Sequence, residues 1–373
     1  MLVGIFGTGR NGSTLITRLL DGIPDTYVHP VEVIFLTALD DLASKGRISK
    51  KTKHYARTDP LRYLDGSIEN KLLIDNYSYH VKEILSDYVA KLEEDININL
   101  DVNPLRVLTS KSEYKICDFI MLFFRVMSDW INNNKAVTTY MFKTIEVPYI
   151  CYYEEIFPDM KFIHIIRNPI DVYASLIRAT RQKICPARKP LWHLGGDSLN
   201  TIINKRWSIH ARNILDRKDL KNHYVVRFED LVQAPLDTIK SICSWLGLPL
   251  PKSPTKQTVL GGKIIKKLPV NVGQVGVETP VEVISDMKKI FKYDEFLPPC
   301  ERDLIVYLTY NYAKEFGYVE NIPLPERRKI LKEWIIPKKW EFLHSKNIFG
   351  ICVSLFKVFQ RRFIYFSKLY MRL

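Results

Sequence analysis

The sequence predicts an α/β protein with a parallel central sheet flanked by helices, and three observations predict it. Leu2–Phe6 is a continuous apolar run that ends in glycines and passes straight into an amphipathic segment, the pattern of a strand buried on both faces that feeds a helix. Three further short apolar runs, residues 139–142, 162–166 and 224–227, are each followed by helix-start residues or an amphipathic stretch, and such alternation gives a parallel sheet. The composition, 46% hydrophobic and 26% charged, is that of a globular chain and carries no low-complexity tract or internal repeat.

Taken in order, the elements are as follows. Behind the first strand, Leu15, Ile16, Leu19 and Leu20 recur on one helical face, and Asp21-Gly22-Ile23-Pro24 supplies the stop. His29-Pro30 reads as a turn. About a hundred residues then separate the first two expected strands, with helical periodicity at 79–92 and 117–131. That is too long for a simple crossover, so a helical insertion at about 40–135 is expected over the site. Residues 182–197 and 249–280, rich in glycine and proline, read as loops that could serve as lids. Residues 307–316 look helical again, and Pro323-Leu324-Pro325 marks a boundary. The expected domains are therefore an α/β domain over 1–320 and a basic C-terminal extension over 321–373.

The formal net charge of +14 is concentrated in that extension, where twelve Lys or Arg face three Glu. There Phe349, Val353, Phe356, Phe363, Phe366 and Tyr370 interleave with Lys357, Arg361, Arg362, Lys368 and Arg372. Such a helix would be apolar on one side with cationic edges. Peripheral membrane contact through 347–373 and a terminal helix packed on the domain both fit, and nucleic acid is not expected as a partner. The apolar run at 347–356 covers about half of the ~20 residues a spanning helix needs. Six scattered cysteines, without a CxxC pair or histidines at zinc-ligand spacing, suit a reducing compartment and no metal. A cytoplasmic location, peripheral to a membrane in the first reading of the tail, is the expectation.

The stretch Gly7-Thr8-Gly9-Arg10-Asn11-Gly12-Ser13-Thr14 joins strand to helix, so successive backbone N–H groups and the positive helix end can face one anion. A nucleoside-triphosphate loop would carry lysine after Gly12, and this chain has Ser13. Arg10 instead supplies a fixed charge, and the Ser13 and Thr14 hydroxyls can donate. This segment resembles the 5′-phosphosulfate loop of the sulfotransferase superfamily, with Asn11 in place of the common serine. Arg167, at the end of the run 162–166, is followed by Asn168-Pro169, which suits a helix start, with Asp171 placed for a capping box. Arginine eight residues before Ser175 resembles that family's 3′-phosphate site. Residues 226–231, with Glu229 and Asp230 read as helix caps, and Leu246-Gly247-Leu248-Pro249 resemble its scaffold.

The resemblance implies a P-loop NTPase-like sulfotransferase fold with a helical insertion and a C-terminal helical extension. It also implies sulfuryl transfer from 3′-phosphoadenylyl sulfate (PAPS), with 3′,5′-diphosphoadenosine (PAP) as product and no metal. Gly9, Arg10, Asn11, Gly12, Ser13, Thr14, Arg167 and Ser175 would hold the nucleotide, and Lys143, like the family's catalytic lysine, would join Arg10 at the leaving group. Glu32 is the candidate base, His29 the reserve, and Lys263 or a neighbour would close over the 3′-phosphate. The acceptor is expected to offer a hydroxyl or amine, in a glycan or glycolipid. Two other readings stand: a P-loop-type nucleoside or sugar kinase, and a non-catalytic nucleotide-binding protein at a membrane surface.

Overall fold

A computed structural model describes residues 1–37, 63–64, 114–132, 136–181, 206–264 and 299–326, with residues 203, 297, 328, 330, 352, 356 and 359. In chain order the elements begin with β1 (Leu2–Phe6), α1 (Ser13–Leu20), β2 (Thr26–Glu32), β3 (Tyr63–Leu64), β4 (Tyr114–Lys115), α2 (Ile116–Asn132) and β5 (Thr139–Thr144). A 3₁₀ turn at Val147–Tyr149 leads to α3 (Ile150–Ile156), β6 (Lys161–Ile166), α4 (Pro169–Arg181), α5 (Ser208–Leu215) and β7 (His223–Arg227). Then come α6 (Phe228–Gln233), α7 (Pro235–Leu246), β8 (Thr258–Val259), β9 (Lys263–Ile264) and α8 (Pro299–Glu315).

Five strands form one sheet in the order β2-β5-β1-β6-β7, and every pairing in it is parallel. The four expected strands are all present. The fifth, β2, corrects the reading of His29-Pro30 as a turn. Proline is admissible there because β2 lies at the sheet edge, where its missing N–H breaks no ladder, and the register slips between Val28 and Glu32.

Each face of the sheet is covered by helices because β-strand side chains alternate. On one face Phe6, Phe142 and Phe162 pack with Phe123 and Phe124 of α2 and Tyr153 of α3. On the other, Val3, Ile5, Ile163 and Ile165 meet Ile16 and Leu19 of α1 and Ile239 and Ile242 of α7. A third cluster joins α4, α5 and α8 through Tyr173, Trp207, Ile214 and Ile305. The helix expected at 117–131 is α2, and the one expected at 307–316 falls within α8 and the turn after it. The helix at 79–92 and the loop at 182–197 lie outside the described residues. The same holds for most of the tail, of which Cys352, Phe356 and Phe359 are helical and exposed. No helix among the described residues is long and apolar enough to cross a membrane.

Two packing details bear on stability. Gly12, which caps α1, has φ +99°, and a Cβ there would lie 2.2 Å from the Phe228 ring. Gly9 has nothing within 4 Å of its would-be Cβ. Under the α3 side of the sheet, His164 of β6 meets His223 of β7 at 2.8 Å, and His223 lies 3.2 Å from Glu154, which Arg217 holds with two hydrogen bonds. His210 of α5 lies beside His164, its ring tilted by 44° with centroids 5.7 Å apart. Neither of its ring nitrogens has a hydrogen-bond partner among the described residues.

Burial holds the His210 imidazole down from 6.5 to about 3. The unfolded chain therefore takes up a proton below 6.5 that the folded one refuses until about 3. The contribution to stability is complete above that window and is lost as pH falls through it. We expect His210→Leu to reduce the acid-side slope of stability by about 1.4 kcal/mol per pH unit, one proton's worth, in urea denaturation between pH 5.5 and 4, inside the window set by 6.5 and about 3. Gly12→Ala is expected to cost about 1–3 kcal/mol from the left-handed backbone alone, and Gly9→Ala to stay within about 0.5 kcal/mol, by the same assay.

Candidate active site

The carboxyl ends of parallel strands are where open α/β sheets bind ligands, and here four of them converge. Residues 7–12 leave β1 and turn sharply into α1. Gly7 donates its N–H to the Thr144 carbonyl of β5 at 3.2 Å, so the loop starts pinned to the neighbouring strand. Arg10 takes a left-handed conformation (φ 73°), a costly geometry for a side chain other than glycine. Its carbonyl is held by the Arg167 guanidinium at 3.2 Å, and its own Nε donates to Ser175 Oγ at 3.1 Å. The two anion-binding segments read from the sequence are thus bonded to each other directly.

Asn11 faces inward. Its side chain is fully buried, donates to the Ile165 carbonyl at 2.6 Å and accepts the Ser13 N–H at 3.2 Å. It braces the loop from beneath, which gives a structural reason for an amide where the family commonly has serine. At the start of α1 the dipole and the first-turn amides face the loop. The Thr14 hydroxyl accepts from Lys143 Nζ at 2.7 Å.

Arg167 is buried and lies 4.3 Å over the Phe228 ring, a cation–π seat that offsets part of its desolvation. Trp207 donates Nε1–H to the Arg167 carbonyl, fixing the strand end. Asn168 caps α4 as expected, accepting the Ile170 N–H through Oδ1 at 3.0 Å. The partner of the Asn168 N–H, however, is Glu229 at 2.9 Å rather than Asp171. The other Glu229 oxygen accepts from Tyr318 at 3.0 Å. The capping box assigned to Asp171 is therefore closed by a residue 61 positions away. Glu229 does not cap its own helix, since it sits in the first turn of α6 and reaches across to Asn168 at the start of α4. Burial raises the Asp171 carboxyl to about 6 against the opposing charge of Arg167.

Lys143 and Glu32 meet by strand pairing. Lys143 of β5 is in register with Ile5 of β1 on one side and Glu32 of β2 on the other. Registered residues of parallel strands share a face, so the exposed Glu32 carboxylate and the buried Lys143 ammonium stand on the α1 side of the sheet. His29 is on the opposite side. Its ring packs edge-on against Phe123 and Phe124, and its Nδ1 is 2.8 Å from the Tyr27 hydroxyl. Burial, aided by the Lys143 charge, lowers its pKa to about 3. The reserve base is a neutral core residue, and the strand it belongs to is the reason.

The stretch around Lys263 also lies elsewhere. Gly261 and Gly262 donate their N–H groups to the Asp21 carboxylate at 3.1 and 2.7 Å, at the end of α1 remote from the loop. β8 and β9 form an antiparallel hairpin there. The described structure does not bring Lys263 to the phosphate segments. Arg227 of β7 stacks over Tyr318 at 5.0 Å. Sequence reasoning missed Phe228 and Trp207, whose only sequence signal is an aromatic beside a strand end or helix start. Among the described residues no group of three or more His, Cys, Asp or Glu could hold a metal ion.

The assembled site is a loop and strand-end cradle with three cations, Arg10, Lys143 and Arg167, of which the last two are buried, and a carboxylate at its β2 edge. Such a cradle suits a doubly anionic ligand. The profile of the sulfotransferase family matches residues 3–252. A 3-alpha-hydroxysteroid sulfotransferase of Cavia porcellus is 29% identical over 93 residues, 23% of this chain and 31% of that protein. The chain thus spans about a third of that relative's length. The sulfotransferase domain of the Synechococcus PCC 7002 olefin synthase is similar with 17% identity, a TM-score of 0.47, and coverage of 86% of this chain and 95% of that one. The sulfotransferase domain of the curacin biosynthetic pathway is similar at 16% identity, a TM-score of 0.45, and coverage of 87% and 98%. With the glycine loop, Lys143, Arg167 and Ser175 all inside the matched span, the chain belongs to the sulfotransferase family.

Proposed function

We propose that the chain transfers a sulfuryl group from PAPS to a hydroxyl or amine of an acceptor by in-line displacement. The observation that carries this is the direct bonding of the Arg10 turn to Arg167 and Ser175, which suits a nucleotide anionic at both its 5′ and 3′ ends. In this reading Gly9, Gly12, Ser13 and Thr14 offer backbone or hydroxyl donors to the 5′-phosphosulfate, while Arg167 and Ser175 take the 3′-phosphate. The acceptor oxygen or nitrogen attacks sulfur, and its proton passes to Glu32. The bond from sulfur to the bridging oxygen breaks, and PAP leaves with its new charge facing Arg10 and Lys143. Positioning and electrostatics supply most of the rate in such transfers. The kinase reading is disfavoured by Ser13, which stands where a triphosphate loop needs lysine.

For the acceptor we favour a glycan or glycolipid, with a cytoplasmic protein lying against a membrane through 347–373. The support is physical. Helical Phe356 and Phe359 are 70% and 45% exposed, and residues 342–373 contain six Lys or Arg and no Asp or Glu, a match for an anionic lipid surface.

Calorimetric titration is expected to show PAP binding without magnesium and weaker binding of ATP with magnesium. Arg10→Ala and Arg167→Ala should each weaken PAP by about 10–100-fold, the worth of a charge-assisted hydrogen bond. Binding of ATP with magnesium alone would overturn the reading. Glu32→Ala should leave PAP affinity unchanged while sulfuryl transfer falls by about 10²–10⁴-fold. Sedimentation with phosphatidylserine-containing vesicles should retain the protein at low salt. Phe356→Ser with Phe359→Ser should release it, and equal recovery of both proteins in the supernatant would remove the membrane element.

A further inference from the structure

Glu146 is a buried carboxylate, 1% exposed, placed two residues beyond the end of β5. Nothing in its sequence neighbourhood draws attention to it, yet four segments of the site meet there. Its carboxylate accepts the Thr37 N–H and the Tyr153 hydroxyl. Its own N–H donates to Thr144 Oγ1 at 3.0 Å, and its carbonyl accepts the Tyr149 N–H at 2.9 Å. Thr144 in turn receives Gly7, the first residue of the phosphate loop, and Tyr153 packs against Phe6, the residue before it, with ring centroids 5.4 Å apart. On the other side, residues 33–37 run on from Glu32, and Val33 donates to the Lys143 carbonyl at 2.9 Å.

A buried carboxylate is costly, and the cost is offset only by well-placed donors. Burial pushes the Glu146 carboxyl up, while the hydrogen bonds from Tyr153 and the backbone of Thr37 and Leu36 pull it down. An apolar residue would fill the same space without that conflict, so the carboxylate is best explained by what it ties together. The two halves it joins differ in character. One is the donor half, made of β1, its loop and β5. The other is the edge that carries Glu32 and continues through Thr37 toward residues 40–135, the stretch in which the acceptor-side insertion is expected.

We propose that Glu146 is a positioning residue for the transfer step: it pins residues 33–37, and Glu32 with them, against the strand end that carries Lys143. It touches neither nucleotide nor acceptor, and it acts through the backbone of Thr37. The catalytic consequence rests on the sulfuryl-transfer reading above, whereas the pinning does not. A displacement of about 1 Å between reacting groups can lower a rate by about 100-fold without affecting binding of either partner.

The test combines three readouts on Glu146→Ala and Glu146→Gln. The amide oxygen of Gln still accepts from Thr37, so it serves as the conservative rescue. For Glu146→Ala, amide hydrogen exchange should accelerate in residues 33–37 and not in residues 7–14. PAP affinity by calorimetry should stay within about twofold, and turnover of PAPS should fall by about 10–100-fold in kcat with KM for PAPS unchanged. Glu146→Gln should recover turnover to within about threefold of the parent. Should the alanine variant fail to fold, Glu146→Asp, which withdraws the carboxylate by one methylene, is read in the same way. Unchanged exchange in 33–37, parental kcat, or parallel loss of PAP binding and turnover would each overturn the proposal. A parent protein that binds no PAP would instead overturn the sulfuryl-transfer reading, and the exchange data would still decide whether Glu146 pins residues 33–37.

Discussion

The site depends on one contact, the hydrogen bond from the Arg167 guanidinium to the Arg10 carbonyl. Arg10 is held in a left-handed turn that its side chain makes unfavourable, and that contact from β6 is what a charged donor can offer to hold it there. Because β1 and β6 are adjacent and parallel, their exits lie side by side, and a single guanidinium can serve both the loop and whatever anion the loop faces. Arg167 is itself held by Phe228 beneath and by Trp207 on its carbonyl. Phe228 also closes against Gly12. The loop, Arg167 and the β7 exit are thus one packed unit rather than three separate motifs.

The same constraint explains why so many charged groups are buried here. Lys143 and Arg167 are nearly inaccessible, and an unpaired charge in such a place would be prohibitive. Each has partners within the site, Thr14 for Lys143 and the Arg10 carbonyl for Arg167. Both of these oxygens are neutral, and the Asp171 carboxyl, raised to about 6 by burial, also faces the charge of Arg167. Three other buried or partly buried carboxylates have donors of their own: Glu229 closes the α4 cap, Asp21 anchors the β8–β9 hairpin, and Glu146 takes Thr37 and Tyr153. Glu32, the one placed in register with Lys143, is exposed at the sheet edge, where an acceptor could approach it.

Sheet order also separates residues that look equivalent along the chain. His29 and Glu32 are three positions apart on one strand, and the irregular register between Val28 and Glu32 puts Glu32 beside Lys143 while His29 turns into the aromatic layer of α2. A sequence pattern of histidine, proline and glutamate carries no sign of this, because the proline suggests a turn and the edge position that tolerates it is a property of the assembled sheet.

The sequence by itself determined the parallel α/β architecture, four of the five strands of the main sheet, the glycine loop and the Asn168 cap of α4. These follow from apolar runs, glycines and cap residues, signals that act within a few positions of one another. Tertiary structure alone decided that β2 is a strand, that Asn11 faces inward, that Glu229 rather than Asp171 closes the Asn168 cap, that His29 is core, and that Gly261 and Gly262 belong to Asp21. Each of those outcomes is a hydrogen bond, a pairing or a burial between segments far apart in the chain. The donor and acceptor capacity of a side chain is written in its identity, but its partner is chosen by which elements the sheet brings into contact.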